Sequence, residues 1–158
     1  MNHTIGIGEA MTSGSRDDVL VTYFLGSCVG VALHDPSSGV GGLVHCLLPL
    51  SKADPEKAKE RPHLFLDTGL SLLLQQRFDL GARRGSLVAR AAGGATVLEG
   101  VGLFNIGERN VQVMRKVLEK NGVPVVGEDL GGTRVRSLTL EIGTGRTLVK
   151  AAGQEVSL

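Results

Sequence analysis

Both cysteines of the chain and two of its four histidines fall in one stretch, VTYFLGSCVGVALHDPSSGVGGLVHCLLP, residues 21–49. The thiols are Cys28 and Cys46, and the imidazoles are His34 and His45. A thiol beside an imidazole can ionise at neutral pH, with a pKa of roughly 3–7 in place of ~8.5. Thiolate attacks carboxamide and ester carbonyls. The imidazole keeps the proton and returns it to the leaving group. Backbone N–H groups of the Gly-Ser-Cys turn are suited to hold an oxyanion, and a third group must orient the imidazole. Thr22 and Ser27 are both close enough in sequence for that task, and composition does not choose between them.

Which thiol meets which imidazole depends on the strands that carry them. VGVALHD (29–35) and VGGLVHCLLP (40–49) read as a hairpin around the turn signal PSSG, with Pro49 closing the second strand. Strand parity puts Cys28, Gly30 and Ala32 on one face, and Val29, Val31 and Leu33 on the other. On the second strand Leu43, His45 and Leu47 share a face opposite to Val44, Cys46 and Leu48. An even loop, residues 36–37 or 36–39, sets Cys28 opposite or diagonal to His45, roughly 5–8 Å away between Cβ atoms. An odd loop centred on Ser37 instead sets Cys28 against Cys46, as a core pair. The even register keeps the apolar residues on one coherent face, although a bulge at Gly41-Gly42 would upset that reading. The small residues Cys28, Gly30, Ala32 and Gly41 are expected to leave room for an incoming substrate chain.

The remaining elements frame this hairpin. HTIGIGEAM reads as a first strand, SGSRDD as a loop and VLVTYFLG as a strand. SKADPEKAKERP is a surface loop or a short helical turn. LDTGLSLLLQQRFDLGA is a helix capped by Asp67 or Thr68, with Leu70, Leu73, Leu74 and Phe78 inward and Gly81 at its end. SLVARAAGGATVL is a strand interrupted by Gly93 and Gly94, and EGVGLFNIG is a loop. ERNVQVMRKVLEKNG is a second amphipathic helix. Asn105 or Glu108 helps its start, Val111, Met114, Val117 and Leu118 line it, and Asn121-Gly122 stops it. VPVVGEDLGG, RVRSLTLEI and TLVKAA close the chain as strands, with GTGR as a turn. The fold class expected is α/β of the α+β type, a β-rich layered sandwich with two main helices packed on the sheets. Residues 1–158 read as a single domain.

Composition excludes several function classes. Seventeen basic against sixteen acidic residues give a net charge of +1, so neither nucleic acid nor a membrane surface is indicated as partner. Aromatics make up 3% of the chain with no Trp, too few for a base-stacking platform. The N-terminus lacks a secretory pattern and no apolar run approaches the ~20 residues of a membrane helix, which points to the cytoplasm. Two cysteines are no disulfide scaffold. His3 and His63 have no zinc-like spacing to other ligands, and GIGEAM is an incomplete nucleotide loop. Cys46 reads as core, and His34 as a solvated residue at the turn edge.

LGSCVGVALHDP followed by GGLVHCLLP resembles the CheD family of chemoreceptor glutamine deamidases. LGAR, AAGGATVL, NIGERN, GVPVVGEDLGG and TGRTLVK continue the resemblance in order and spacing over roughly residues 4–150. It implies a fold like the catalytic domain of cytotoxic necrotizing factor. It implies hydrolysis of the side-chain amide of particular glutamines in methyl-accepting chemotaxis receptors, with no metal or organic cofactor. It also implies, for some members, binding and stimulation of a CheC-type phosphatase. By this resemblance the nucleophile falls on Cys28, the histidine on His45 and the third member on Thr22. Departures lie at Val135-Arg136, Ala91-Ala92 and Phe65, and bear on substrate or partner fit more than on the reaction. Two rival functions stand beside deamidation: a binding module regulating the phosphatase, and a thiol transferase or protease using the same pair.

Overall fold

The computed structural model describes residues 1–83, 85–96 and 105–158. Its strands are β1 (Asn2–Thr4), β2 (Ala10–Ser13), β3 (Val19–Leu25), β4 (Val29–Asp35), β5 (Val40–Cys46), β6 (Val88–Gly93), β7 (Val125–Leu130), β8 (Arg136–Glu141), β9 (Thr147–Ala151) and β10 (Gln154–Ser157). Its helices are α1 (Pro55–Glu60), α2 (Leu66–Asp79) and α3 (Ile106–Lys120). The strands form two five-stranded sheets, one ordered β1-β3-β8-β9-β10 and the other β2-β5-β4-β6-β7. The α+β class and the packing of two main helices on sheet follow the sequence reading.

The hairpin takes the longer even loop. β4 and β5 pair Val29 with Cys46, Gly30 with His45 and Asp35 with Val40, so residues 36–39 form the turn. Asp35 holds that turn. Its carboxylate accepts hydrogen bonds from Ser37 N and Oγ, Ser38 Oγ and Arg83 N, at 2.7–2.9 Å. Burial opposes its ionisation, but these donors outweigh burial and hold the carboxyl far below the usual carboxylate range.

Each face of the hairpin sheet buries its own core. On one face Val29, Val31, Leu33, Val44 and Cys46 pack against Leu66, Leu70, Leu73 and Leu74 of α2 and Met114 and Leu118 of α3. Each such fully buried leucine contributes about 1.5–3 kcal/mol. On the other face Cys28, Ala32, Leu43 and Ala92 pack against Leu20, Leu25, Leu138, Leu140 and Val149 of the second sheet. The molecule thus has three layers: helices, hairpin sheet, second sheet. The small residues of the hairpin do not make room for substrate. A Cβ on Gly30 would lie 3.0 Å from Leu25 and 3.2 Å from Leu138, and one on Gly41 would lie 2.6 Å from Ile142. These glycines let the second sheet approach.

Several local expectations change. HTIGIGEAM is two strands in different sheets: β1 runs parallel to β3, and β2 antiparallel to β5. The charged stretch after Pro49 holds a 3-10 turn at Ser51–Ala53 and the short helix α1, capped by Asp54. Helix α2 begins one residue before its expected caps, with Phe65 at the N-cap position and no side-chain capping bond. Asp67 instead accepts from Ser51 N and Oγ and from Thr68 N, tying down the incoming loop. Asn105, at the N-cap of α3, donates its amide to Glu108 rather than capping the helix. His34 is buried at the sheet interface, with Nε2 2.9 Å from the Ile142 carbonyl, so it is not solvated. The strand β10 was not foreseen; Ala152 and Gly153, both at positive φ, turn the chain back onto β9. Residues 97–98 of SLVARAAGGATVL and 99–104 of EGVGLFNIG lie outside the described residues.

Candidate active site

Thr22 and His45 meet across the gap between the sheets. Thr22 lies on β3 at the start of an irregular pairing with β8, where the partner of Thr22 is Leu138 and the next paired residue is Leu25. The two residues between, Tyr23 and Phe24, are exposed, and Phe24 has a φ of 61°. A bulky side chain in that region marks a backbone fixed by its surroundings. Thr22 itself has no exposed surface, nor does His45.

The hydrogen bonds at this junction define the imidazole tautomer. Thr22 Oγ1 lies 2.7 Å from the Ile5 carbonyl oxygen and 2.6 Å from His45 Nδ1. A carbonyl only accepts, so the single hydroxyl proton goes to Ile5. The hydroxyl oxygen then accepts from an Nδ1–H. The basic nitrogen is therefore Nε2, which is buried and has no hydrogen-bond partner. The main chain of His45 is held too: its N–H donates to the Glu9 carbonyl and its carbonyl accepts from Gly8 N–H. Of the two residues considered for orienting the imidazole, Thr22 touches it; Ser27 does not.

Cys28 stands one residue before β4, diagonal to His45 in the observed register, and is 6% exposed. No hydrogen bond joins its sulfur to His45 Nε2. Burial pushes the thiol up, against a smaller downward pull from its own N–H. Burial also pushes His45 down, to about 4. Both partners are consequently neutral at pH 7. The ion pair expected from the residue types is not preformed, because neither charge has a stabilising neighbour in this dry setting. What the arrangement offers is a thiol and a nearby free imidazole lone pair of defined tautomer.

Residues given no role at the site in the sequence reading hold the Cys28 turn. The Gly26 carbonyl accepts from Ala95 N–H at 2.9 Å, and the Cys28 carbonyl from Gly94 N–H at 2.8 Å. The Ser27 carbonyl accepts from the side chain of Asn110 at 2.9 Å. Gly93 is required here: its φ is 114°, and any side chain would run into the Cys28 carbonyl. Arg136, 4% exposed, donates to the carbonyls of Gly131 (2.7 Å) and Gly93 (3.3 Å) and pairs with Asp129 at 3.2 Å. The signal for Asn110 was present, as a polar residue one helical turn before the inward Met114.

The other candidates fall elsewhere. Cys46 is fully buried in the helix–sheet core, and burial drives its thiol far above the normal range. His3 contacts Asp18 at 3.1 Å. His63 lines an open cleft with Ile5, Glu9 and Met11. Among the described residues no three His, Cys, Asp or Glu side chains group as metal ligands.

The chain was compared with known proteins. A family model described as "CheD chemotactic sensory transduction" matches residues 47–151. A "Probable chemoreceptor glutamine deamidase CheD" of Solibacter usitatus is 40% identical over 154 residues, 98% of this chain and 91% of that protein. "Probable chemoreceptor glutamine deamidase CheD 1" of Syntrophus aciditrophicus is 44% identical over 149 residues, 94% of this chain and 93% of its own. A third, "CheD 2" of Anaeromyxobacter dehalogenans, is 40% identical over 155 residues, 98% of each chain. The family model begins after His45, whereas the relatives span nearly the whole chain, Thr22 and Cys28 included.

Proposed function

This chain belongs to the CheD family, and we propose on that premise that it is a chemoreceptor glutamine deamidase. Its names among relatives supply the substrate class: glutamine side chains of chemoreceptors, converted to glutamate with release of ammonia. The observation that carries the chemistry is the hydrogen-bond relay from His45 Nδ1–H through Thr22 Oγ1 to the Ile5 carbonyl. It supports Nε2 as the catalytic base and Cys28 as the nucleophile.

The steps follow from two neutral partners. As Cys28 Sγ bonds to the glutamine carboxamide carbon, its proton passes to His45 Nε2. The carbonyl π pair moves to oxygen. On its return the C–N bond breaks, and the imidazolium gives its proton to the departing nitrogen, which leaves as ammonia. A thioester remains. His45 then takes a proton from water, the hydroxyl adds to the thioester carbon, and the C–S bond breaks. The sulfur recovers its proton, and the product is glutamate. Thr22 steadies the transient imidazolium by holding Nδ1–H. No step draws on a metal or organic cofactor.

In this reading residues 1–158 act as one deamidase domain in the cytoplasm; no described helix is long and apolar enough to cross a membrane. The test is ammonia release from receptor cytoplasmic fragments, with Cys28→Ala and Cys46→Ala in parallel. Release that survives Cys46→Ala and vanishes with Cys28→Ala is expected. Equal loss in both would remove Cys28 as the assigned nucleophile. No release from the unmutated chain across several receptors would favour the alternative, a module that regulates a CheC-type phosphatase. An added amine appearing on the glutamine would favour transfer over hydrolysis.

A further inference from the structure

The turn that carries Cys28 has an uneven distribution of hydrogen bonds. All three carbonyls of Gly26, Ser27 and Cys28 are engaged from outside, by Ala95 N–H, Asn110 Nδ2 and Gly94 N–H respectively. The Gly26 N–H is also used, by the Phe24 carbonyl. The N–H groups of Ser27 and Cys28 donate to no other described residue. A peptide plane is rigid, with C=O and N–H pointing in opposite directions. Pinning the Ser27 carbonyl therefore aims the Cys28 N–H away from α3, toward the sulfur's own side.

Asn110 does this pinning from a buried position. It has no exposed surface, and its two amide hydrogens go to Ser27 O at 2.9 Å and Leu47 O at 3.0 Å. Turning the amide over would set its oxygen against two carbonyl oxygens, so the orientation is unambiguous. The β4–β5 ladder ends at Val29 and Cys46, one pair before Cys28 and Leu47. Beyond that point the side chain of Asn110 bridges the two strands in place of backbone pairing. Helix α3 reaches this depth because Gly107 lies against the Gly94 and Ala95 carbonyls, where a Cβ would come within 2.5 Å.

We infer that the N–H groups of Ser27 and Cys28 are the oxyanion donors of the site, that Asn110 positions the Cys28 donor through the Ser27 carbonyl, and that Ala95 N–H holds the Ser27 donor through the Gly26 carbonyl. This rests on Cys28 acting as the nucleophile. Donors fixed before reaction need no reorganisation as negative charge builds on the substrate oxygen. The hydrogen bonds of Asn110 go to backbone carbonyls and not to the thiol; it acts through the peptide that joins Ser27 to Cys28.

The test separates this role from simple packing. In Asn110→Ala, kcat for deamidation should fall roughly 10- to 100-fold with KM little changed, the pattern of a lost transition-state interaction. Alkylation of Cys28 by iodoacetamide should stay within about threefold, because no oxyanion forms at an alkyl carbon. A parallel fall in both rates, or no fall in kcat, overturns the inference. Asn110→Asp, which keeps the shape and removes both donors, should show the same split. A measurement on the unmutated protein guards against misfolded variants. A receptor peptide whose glutamine side chain ends in an aldehyde should form a reversible hemithioacetal with Cys28. Its oxygen should move the amide proton resonances of Ser27 and Cys28 downfield; shifts confined to other amides overturn the assignment. Absence of ammonia release from the unmutated chain would instead overturn the deamidase reading, while the aldehyde titration would still report on the two amides.

Discussion

Compare the two faces of the β4–β5 hairpin. Toward the helices, the face is saturated with valine and leucine, and its one sulfur, Cys46, is sealed among them. Toward the second sheet, the same two strands carry His45, His34 and the approach to Cys28, and each imidazole finds a hydrogen-bonding partner there. His45 and Cys46 are chain neighbours, yet one residue of strand parity gives them opposite environments. The difference shows how a thin molecule keeps the thiol proposed as nucleophile apart from the sealed one: by placing them on opposite faces of one sheet. It also shows why the face toward the second sheet needs glycines, since its polar side chains find their partners only if the sheets come close.

The largest expected effect breaks the symmetry of the two thiols. Cys28→Ser should lower ammonia release by roughly 10⁴-fold or more, while Cys46→Ser should leave release within about threefold. The latter should instead cost about 1–3 kcal/mol of stability, measured by urea titration, because it buries a hydroxyl among hydrocarbons. Next comes the imidazole. His45→Ala should reduce kcat about 10²- to 10⁴-fold, whereas His34→Gln, on the same face but bonded to Ile142, should act mainly on the melting temperature. Smaller again is Thr22→Val, with roughly tenfold lower kcat from an imidazole that can adopt either tautomer. Thr22→Ser, which keeps the hydroxyl, should recover most of that activity.

The finest distinction lies in pH. An ordinary imidazole near 6.5 would protonate in mildly acidic buffer, but His45 sits at about 4. Activity measured as kcat/KM should therefore persist through pH 6 and fall only as pH approaches about 4. Stability should follow the same group with a different onset. Between 6.5 and about 4 the unfolded chain binds a proton at His45 that the folded chain refuses. The contribution is thus fully present above 6.5 and is lost as pH falls toward about 4. A melting temperature indifferent to His45→Gln across that window would contradict the assignment.

Much of this was legible in the sequence because the hairpin obeys parity. The positions of Cys28 and His45, the burial of Cys46 and the boundaries of β4 all follow from alternation around a turn. Alternation could not supply the loop length, which Asp35 decides by gathering donors from two serines and from Arg83 far along the chain. Nor could it show that glycine on the small face admits a second sheet, since that requires knowing that Leu138 and Ile142 lie opposite. The hydroxyl of Thr22 was a candidate, but its use depended on the Ile5 carbonyl, brought there by the parallel strand β1. The roles of Asn110 and Arg136 were hidden for the same reason: each acts on backbone distant in sequence.

The pairing of β3 with β8 has a consequence for the birth of the molecule. Thr22 is placed by a strand whose partner, Arg136–Glu141, lies far along the sequence from it. During synthesis the local β4–β5 hairpin can form early, as short-range contacts do, but β3 has no antiparallel neighbour until β8 emerges. A chain at that stage would thus hold Cys28 and His45 close together without Thr22 hydrogen-bonded to the imidazole. In the proposed mechanism, reactivity would be acquired only once β8 has formed, which makes that strand a safety catch for the site.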